Sequence, residues 1–358
     1  MATVNSIKVP IWEGKMRRRK KILNVIGRAL KAVAAATVIL YATAIVGWDL
    51  AHRVIGDGFW LLGLANAVAV YLFVPLPAMA VLAGLARHRA AWIALLIVAW
   101  LFVGLFGAHL LPAGTTARAS DGKPSLTVMT YNVLYTNTDA GPIAETIRRA
   151  EPDLIAFQEL TTGLAQGLEQ DLGQTYPYRT PLYPERCHAG VALWSRYPLT
   201  VEPVGDDVFC RVRPAMVELG GQTVRAIAMH GWPYTALDPA SVERSFRWRE
   251  QQAAYVLELI ADQPEPVILL GDFNATPMHE SYQILTQALD DAFLEAGWGL
   301  GHTFPATHGR FWDLPYPKQM VRIDHVFHSE RWIAESAQVV PWDGQSDHLA
   351  VTAQLLIK

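Results

Sequence analysis

Charge is scarce in this chain. Only 18% of its 358 residues are Asp, Glu, Lys or Arg, against about 25% in ordinary soluble domains. Hydrophobic residues make up 51%, which excludes intrinsic disorder. Cysteine is rarer still: Cys187 and Cys210 are the only two, and their spacing fits no metal motif. Internal repeats and low-complexity tracts are absent too. The little charge there is divides unevenly. Up to Thr115 there are 12 Lys/Arg and 3 Asp/Glu, a balance of +9, and the remainder carries 18 and 30, a balance of −12. The net charge of −3 averages two unlike halves.

The first half is apolar and basic. Three runs, Ala32–Trp48, Phe59–Ala86 and Ala90–Leu111, contain no Asp, Glu, Lys or Arg. A helix needs about 20 residues to cross a bilayer core. The second and third runs are long enough, and the first becomes so with Leu30 and the snorkelling stem of Lys31. The reading is a basic tail (1–28) followed by three transmembrane helices (29–112), rather than buried soluble helices or a cleaved signal peptide. Arg17, Arg18, Arg19, Lys20 and Lys21 precede the first span, and Arg87, His88 and Arg89 lie between the second and third. The first loop holds Arg53 alone. Positive flanks stay cytoplasmic, so everything after Leu111 is expected outside the cytoplasm. Ionisable groups in mid-membrane mark pumps and transporters, and these spans have none; His109 lies near the far end of its run. The helices read as an anchor, or as a surface that meets membrane lipid.

Residues 113–124 are Gly-, Ala-, Ser- and Thr-rich and read as a linker to a globular α/β domain over 125–358. Candidate strands are Leu126–Asn132, Leu154–Gln158, Gly190–Trp194, Met216–Leu219, Val224–Met229, Val267–Leu270, Ile323–Phe327 and Leu349–Leu356. Candidate helices are Pro142–Ala150, Ser241–Ala261 and Met278–Leu289. Runs of strands between helices suggest mixed sheets packed together rather than one parallel sheet. Cys187 and Cys210 bracket an expected hairpin at Arg196–Tyr197–Pro198. They read either as a disulfide across its strands, which an oxidising compartment would preserve, or as two unpaired small apolar residues.

Polar residues recur at the ends of these strands: Asn132, Glu159, His230, Asp272 with Asn274, Asp324 with His325, and Asp347 with His348. A buried strand delivers a side chain rigidly, and its end opens to solvent. Each of these groups alone has an ordinary explanation, as a turn, a cap or a surface terminus. Together and in order they describe a site. Carboxylate and amide oxygens with histidine, and no cysteine cluster, suit a hard cation such as Mg²⁺ or Mn²⁺.

TYNV at 130–133, FQE at 157–159, GDFN at 271–274, RIDHVF at 322–327 and SDH at 346–348 resemble the endonuclease/exonuclease/phosphatase superfamily, the DNase I-like fold. GVALWSRYPL at 190–199 is similar to a strand and turn of that family. The resemblance runs from about Ser125 to the last residue. It implies a four-layer α/β sandwich of two mixed sheets flanked by helices, with the site at one edge. It implies that Glu159 is a principal ligand of Mg²⁺ or Mn²⁺, with Asn132 and Asp347 nearby. Asp272 would orient or deprotonate the attacking water, and Asn274 would steady it. His348 would contact the scissile phosphate, held by Asp324. His230 matches the position of a leaving-group acid in some members, whose usual acidic partner is not identifiable from the sequence. Arg186 and Arg322 are available as phosphate contacts or as ordinary surface charges.

The superfamily cleaves nucleic acids, inositol phosphates, sphingolipids and other phosphoesters, so the fold leaves the substrate open. A balance of −12 after Thr115 disfavours a long polyanion such as nucleic acid. Three-span members are similar in plan and include glycopeptide-resistance membrane phosphatases acting on undecaprenyl pyrophosphate. The expected partner is therefore a phosphorylated, lipid-linked substrate. A surface-anchored nuclease and a catalytically dead membrane-anchored binding module are the alternatives.

Overall fold

The computed structural model describes residues 11–110, 125–182, 190–203, 207–236, 238–261, 263–311 and 314–358. Among these the chain forms two compact units. One takes the chain up to Ala51 together with Val70–Leu105; the other takes His52–Ala69 and the chain from Phe106 onward. The stretch expected to be membrane domain, 29–112, is thus divided, and the segment between its first two spans groups with the globular part.

The helical unit contains most of α1 (Ile11–Ile55), α3 (Leu76–Ala86) and most of α4 (Arg89–Leu110). The Phe59–Ala86 run does not form one helix. A short α2 (Trp60–Ala67) ends early, a 3-10 segment covers Ala69–Phe73, and Pro75 and Pro77 open α3. Proline has no N–H to give a helix interior and is tolerated only in the first turn, so the chain must restart there. Three segments remain long and apolar enough to cross a membrane: Lys15–Ile55, Ala69–Ala86 and Arg89–Leu110. Ala35, Val38, Ala83, Ala86, Ala91 and Leu95 form a common core, and small residues of this kind let helices approach closely. Leu40, Val81, Leu85, Ile93, Leu96, Trp100 and Val103 face outward. An apolar exterior of this kind is compatible with membrane anchoring.

The globular unit is built on two six-stranded sheets. The first has the order β13 (Trp332–Val339), β14 (Val351–Ile357), β1 (Ser125–Asn132), β2 (Leu154–Gln158), β4 (Ala192–Ser195), β3 (Tyr178–Arg179). The second has the order β5 (Leu199–Val201), β6 (Val212–Leu219), β7 (Gln222–His230), β8 (Val267–Asp272), β12 (Asp324–His328), β9 (Asp290–Asp291). Each has one parallel pair at its centre, β1 with β2 and β7 with β8, and antiparallel neighbours elsewhere. Helices α5 (Ala140–Ala150) and α6 (Thr162–Leu172) cover the first sheet, and α7 (Pro239–Ile260) and α8 (Glu280–Leu285) cover the second. A short α9 (Ala292–Ala296) and a hairpin of β10 (Gly309–Phe311) and β11 (Leu314–Tyr316) complete the unit.

Side chains alternate across a strand, and that alternation makes the layers. Leu126 and Val128 of β1, Leu154 and Ala156 of β2, Ala226 and Ala228 of β7, Ile268 and Leu270 of β8, and Val326 of β12 fill the space between the sheets. Their neighbours Met129, Tyr131, Ile155 and Phe157 pack under α5 and α6, and Ile227, Met229, Leu269 and Phe327 under α7 and α8. Burial on both faces explains why these strands read as nearly continuous apolar runs.

The hairpin expected at Arg196–Tyr197–Pro198 does not form. Ala192–Ser195 belongs to the first sheet and Leu199–Val201 to the second, so these residues carry the chain from one sheet to the other. Pro198 cannot donate to a ladder, and its carbonyl instead accepts from Glu218 N at 2.9 Å. Cys210 is buried; Cys187, its expected partner, lies outside the described residues, as does Arg186.

Candidate active site

Continuing the alternation one step past the apolar core brings the polar residues in. Asn132 follows Val128 and Thr130 on the inner face of β1, His230 follows Ala228 on β7, and Asp272 follows Leu270 on β8. Asp324, two residues before Val326, opens β12 opposite Asp272. The inner faces of both sheets therefore converge at one edge on amide, imidazole and carboxylate groups. Gly231 makes the close approach there: a Cβ would lie 2.0 Å from the Phe273 carbonyl oxygen.

The contacts are mutual. The Asn132 amide donates to Glu159 Oε1 at 3.2 Å and to Asp272 Oδ2 at 3.0 Å. Tyr135 N donates to the other Glu159 oxygen at 2.9 Å. Asp272 Oδ1 accepts from Asn274 N at 2.8 Å, and the Asn274 amide also reaches Asp272 Oδ2 and the Gly231 carbonyl. His348 Nδ1 lies 3.0 Å from Asp324 Oδ2, and its Nε2 points to Asp272 Oδ2 at 3.7 Å. The loop carrying Asp347 and His348 is pinned by Ser346, whose hydroxyl donates to the Asn132 carbonyl at 2.6 Å and accepts from His348 N. Leu134, Glu159 and Asn274, all on the loops that build this edge, have φ of 62°, 59° and 49°. Left-handed backbone at non-glycine residues stores strain, and such strain clusters at sites where geometry matters.

Electrostatics follows from burial. Asp272 is 1% exposed; burial, together with the Asp324 charge and against the pull of His348, pushes it up to about 7. Burial alone would lower His348, but the Asp324 and Asp272 carboxylates outweigh it and raise the imidazole to about 10. His348 is thus a cation at neutral pH. Burial also raises Asp347, against His348 and with Glu159 acting in the same direction as burial. Carboxylate is in excess here. Asp272 and Asp324 bring carboxylate oxygens close together on either side of the His348 ring. Asp324 Oδ1 is buried without a hydrogen-bond partner among the described residues. Hard oxygen donors in excess charge fit a divalent cation of the Mg²⁺ or Mn²⁺ type.

The sequence expectations meet this geometry unevenly. Asn132, Glu159, Asp272, Asn274, Asp324 and His348 are joined by the contacts above, His230 lies beside Asp272 and Glu159, and Asp347 belongs to the same loop as His348. Arg322 is elsewhere. Its guanidinium is buried against Asp291, Nη1 to Oδ2 2.6 Å, and lies over the Phe293 ring, so it is no phosphate contact: a buried, paired cation cannot turn to solvent. A further cation beside the site, in addition to His348, is Arg211, which sequence reasoning missed. It ends the 3-10 turn Asp207–Arg211, stacks on Trp232 at 4.5 Å and brings Nη1 within 3.3 Å of His230 Nδ1. Arginine only donates, so Nδ1 accepts and the ring proton sits on Nε2, facing Asp272 Oδ2 at 3.6 Å and Glu159 Oε1 at 3.9 Å. His230 thus sits between a guanidinium on its Nδ1 side and the Asp272 and Glu159 carboxylates on its Nε2 side. An arginine in an apolar turn between two strands carries no motif, so nothing in the sequence marked it.

Solved structures share this architecture. An endonuclease/exonuclease/phosphatase family protein from Bacteroides thetaiotaomicron superposes with a TM-score of 0.51 at 17% identity, covering 66% of this chain and 99% of that one. A Bacteroides vulgatus endonuclease/exonuclease/phosphatase gives 0.52 at 19%, covering 66% and 100%. A humanized D. rerio TDP2 gives 0.50 at 16%, covering 64% and 98%. At these identities the likeness is one of fold. No curated protein matches the sequence. The model of the Endonuclease/Exonuclease/phosphatase family matches residues 129–348, from the first core strand to the last site histidine, and the chain belongs to that family.

Proposed function

We propose that this protein is a membrane-anchored, divalent-metal-dependent phosphoesterase that hydrolyses a lipid-linked phosphate or pyrophosphate, such as undecaprenyl pyrophosphate, outside the cytoplasm. Members of the family are generally metal-dependent phosphoester hydrolases, phosphatases and nucleases among them. The observation that carries the reading for this chain is the cluster itself: an imidazolium, His348, between two buried carboxylates at the open edge of the sheets. Phosphoester cleavage gathers charge on the phosphoryl oxygens, and fixed cationic donors stabilise it. His348 is held for that task by Asp324. Asp272, steadied by Asn274, is suited to orient and take a proton from water. The Nε2 proton of His230 supplies a further donor. Glu159, Asn132 and Asp347 would hold a Mg²⁺ or Mn²⁺ ion, which when bound supplies Lewis-acid polarisation of the phosphoryl group.

The lipid-linked substrate is supported by two features of the chain. Three apolar helices long enough to span a bilayer precede the domain, and the chain beyond Thr115 carries a balance of −12, which disfavours a nucleic-acid backbone. The basic flanks of the spans support an external domain. The test is phosphate release by the detergent-solubilised full chain from undecaprenyl pyrophosphate, phosphatidylinositol phosphates, sphingomyelin and DNA, with and without Mg²⁺ or Mn²⁺. Metal-dependent release from the lipid pyrophosphate is expected. Preferential cleavage of DNA would replace this reading with that of an anchored nuclease.

A further inference from the structure

The segment between the first two spans is built into the globular unit, and three of its contacts show how. Asp57, 2% exposed, accepts from Glu280 N at the start of α8 at 2.8 Å, while its other oxygen accepts from the Asn66 amide at 3.0 Å. The Gly56 backbone, at φ 59°, leaves so little room that a Cβ would lie 1.8 Å from Glu280 Oε1. On α2, a Cβ at Gly63 would lie 2.3 Å from Phe246 Cζ on α7. A loop merely joining two membrane helices needs none of this.

Phe246 leads on to the site. It is 2% exposed and packs its ring against Tyr234 at 5.8 Å, His279 at 5.4 Å and the Arg249 guanidinium at 4.8 Å. Arg249, wholly buried on the same helix, donates to the Asn274 carbonyl and to Tyr234 Oη. One turn further, Gln252 accepts from Trp232 N at 3.0 Å and donates to the His230 carbonyl at 3.3 Å. Helix α7 thus grips the two loops that leave β7 and β8, the loops that aim His230 and Asn274. The outer side of that helix is held by Gly63.

We propose that the inter-span segment 52–69 is a positioning element of the active site, setting α7 through Gly63 and Phe246 so that Arg249 and Gln252 fix the His230 and Asn274 loops. Only the kinetic part of this proposal rests on the phosphoesterase reading. Sub-ångström placement controls rate more than binding, because a displacement of about 1 Å costs up to about 10²-fold in turnover. Glu159 is not gripped by α7 in these contacts, so metal affinity is independent of the segment.

The test uses full-length Gly63→Ala in detergent, with undecaprenyl pyrophosphate as substrate and hydrogen–deuterium exchange as a second readout. The expected result is a kcat lowered about 10- to 10²-fold, with KM and the Mg²⁺ concentration for half-activation unchanged. Amide exchange should quicken at 231–236 and 274–278 but not in β1 or β14. Gly84→Ala, where a Cβ would meet only Trp92 Cζ2 at 3.9 Å, is the control and should leave both signals at the wild-type level. Asp57→Asn, which keeps size and loses charge, should move them as Gly63→Ala does, by less. The exchange readout needs no substrate, so it decides the coupling even if the lipid pyrophosphate is not turned over. Unchanged exchange in both loops, unchanged kcat with quickened loops, or a uniform rise across both sheets would each overturn the proposal.

Discussion

Two buried charged clusters meet strand β12, and its alternation separates them: Asp324 faces the space between the sheets, and His325 the layer beneath α8. On the His325 side everything is balanced. Arg322, Tyr282 and His325 surround Asp291, with Arg322 Nη1 at 2.6 Å and Tyr282 Oη at 2.7 Å from one carboxylate oxygen. Burial alone would raise Asp291, but Arg322 outweighs it and holds the carboxyl far below its ordinary range. On the Asp324 side carboxylate exceeds cation, and burial, only partly opposed by His348, drives Asp272 upward. A closed ion pair supports a fold, whereas unbalanced charge at an open edge is free to act on something that arrives. Adjacent residues of one strand, Asp324 and His325, serve different ends because of which face they occupy.

Breaking the closed cluster should have the largest effect on stability. Asp291→Asn leaves a buried guanidinium uncompensated, and about 3–5 kcal/mol is the usual cost of such a loss. Urea unfolding of the detergent-solubilised protein measures it, and the fraction that remains folded should turn over at the wild-type rate. Asp272→Asn should do the reverse. Its rate should fall about 10²–10³-fold with circular dichroism and melting unchanged, and added metal should not restore it. Equal melting losses in the two variants would erase the distinction between the clusters.

Finer differences sharpen it. Glu159→Gln removes charge from an expected cation ligand, so its loss should narrow as Mg²⁺ or Mn²⁺ is raised in a titration of initial rates. Asp324→Asn should cost less than His348→Ala, because the imidazole keeps its position relative to Asp272 while losing one partner. The smallest effect is expected from Glu250, which burial and the nearby Glu280 and Asp57 carboxylates push up to about 7. A raised carboxyl contributes its full stability below the ordinary value of 4.5 and loses it as pH rises to about 7. The wild-type melting temperature should therefore decline between pH 5 and 8, and Glu250→Gln should decline less, by about 2 °C.

Local pattern decided what could be read from the sequence. Strand Leu154–Gln158 was expected with its observed bounds, and β1, β7 and β8 within two residues, because apolar runs ending in a polar residue are self-contained signals. The same ends exposed Asn132, His230 and Asp272. Strand β6 was expected only from Met216 and starts at Val212, since Pro214 weakens the signal and only pairing with Ile227 reveals the strand. Strand β13, its pattern shifted by an irregularity between Ala334 and Ser336, was not expected, nor was helix α6. The packing of α2 against α7 rests on Gly63 meeting Phe246, 183 positions away in the numbering of this chain, and no local pattern marks it. Arg211 and Arg322 show the same limit: whether an arginine is buried against Asp291 or stacked beside His230 is settled by partners far along the chain.

The position of β14 bears on how the protein is made. It lies between β1 and β13, yet among the described strands it is the last in chain order, and it follows His348 directly. While the chain is being synthesised, β1 has β2 beside it on one edge and nothing on the other until Val351–Ile357 emerges. An unpaired edge invites pairing with other chains. The first sheet is therefore completed, and the loop carrying His348 tied to it, only once Val351–Ile357 has paired with Ser125–Thr130, so a chain cut before β14 would keep an open β1 edge prone to pairing with other chains.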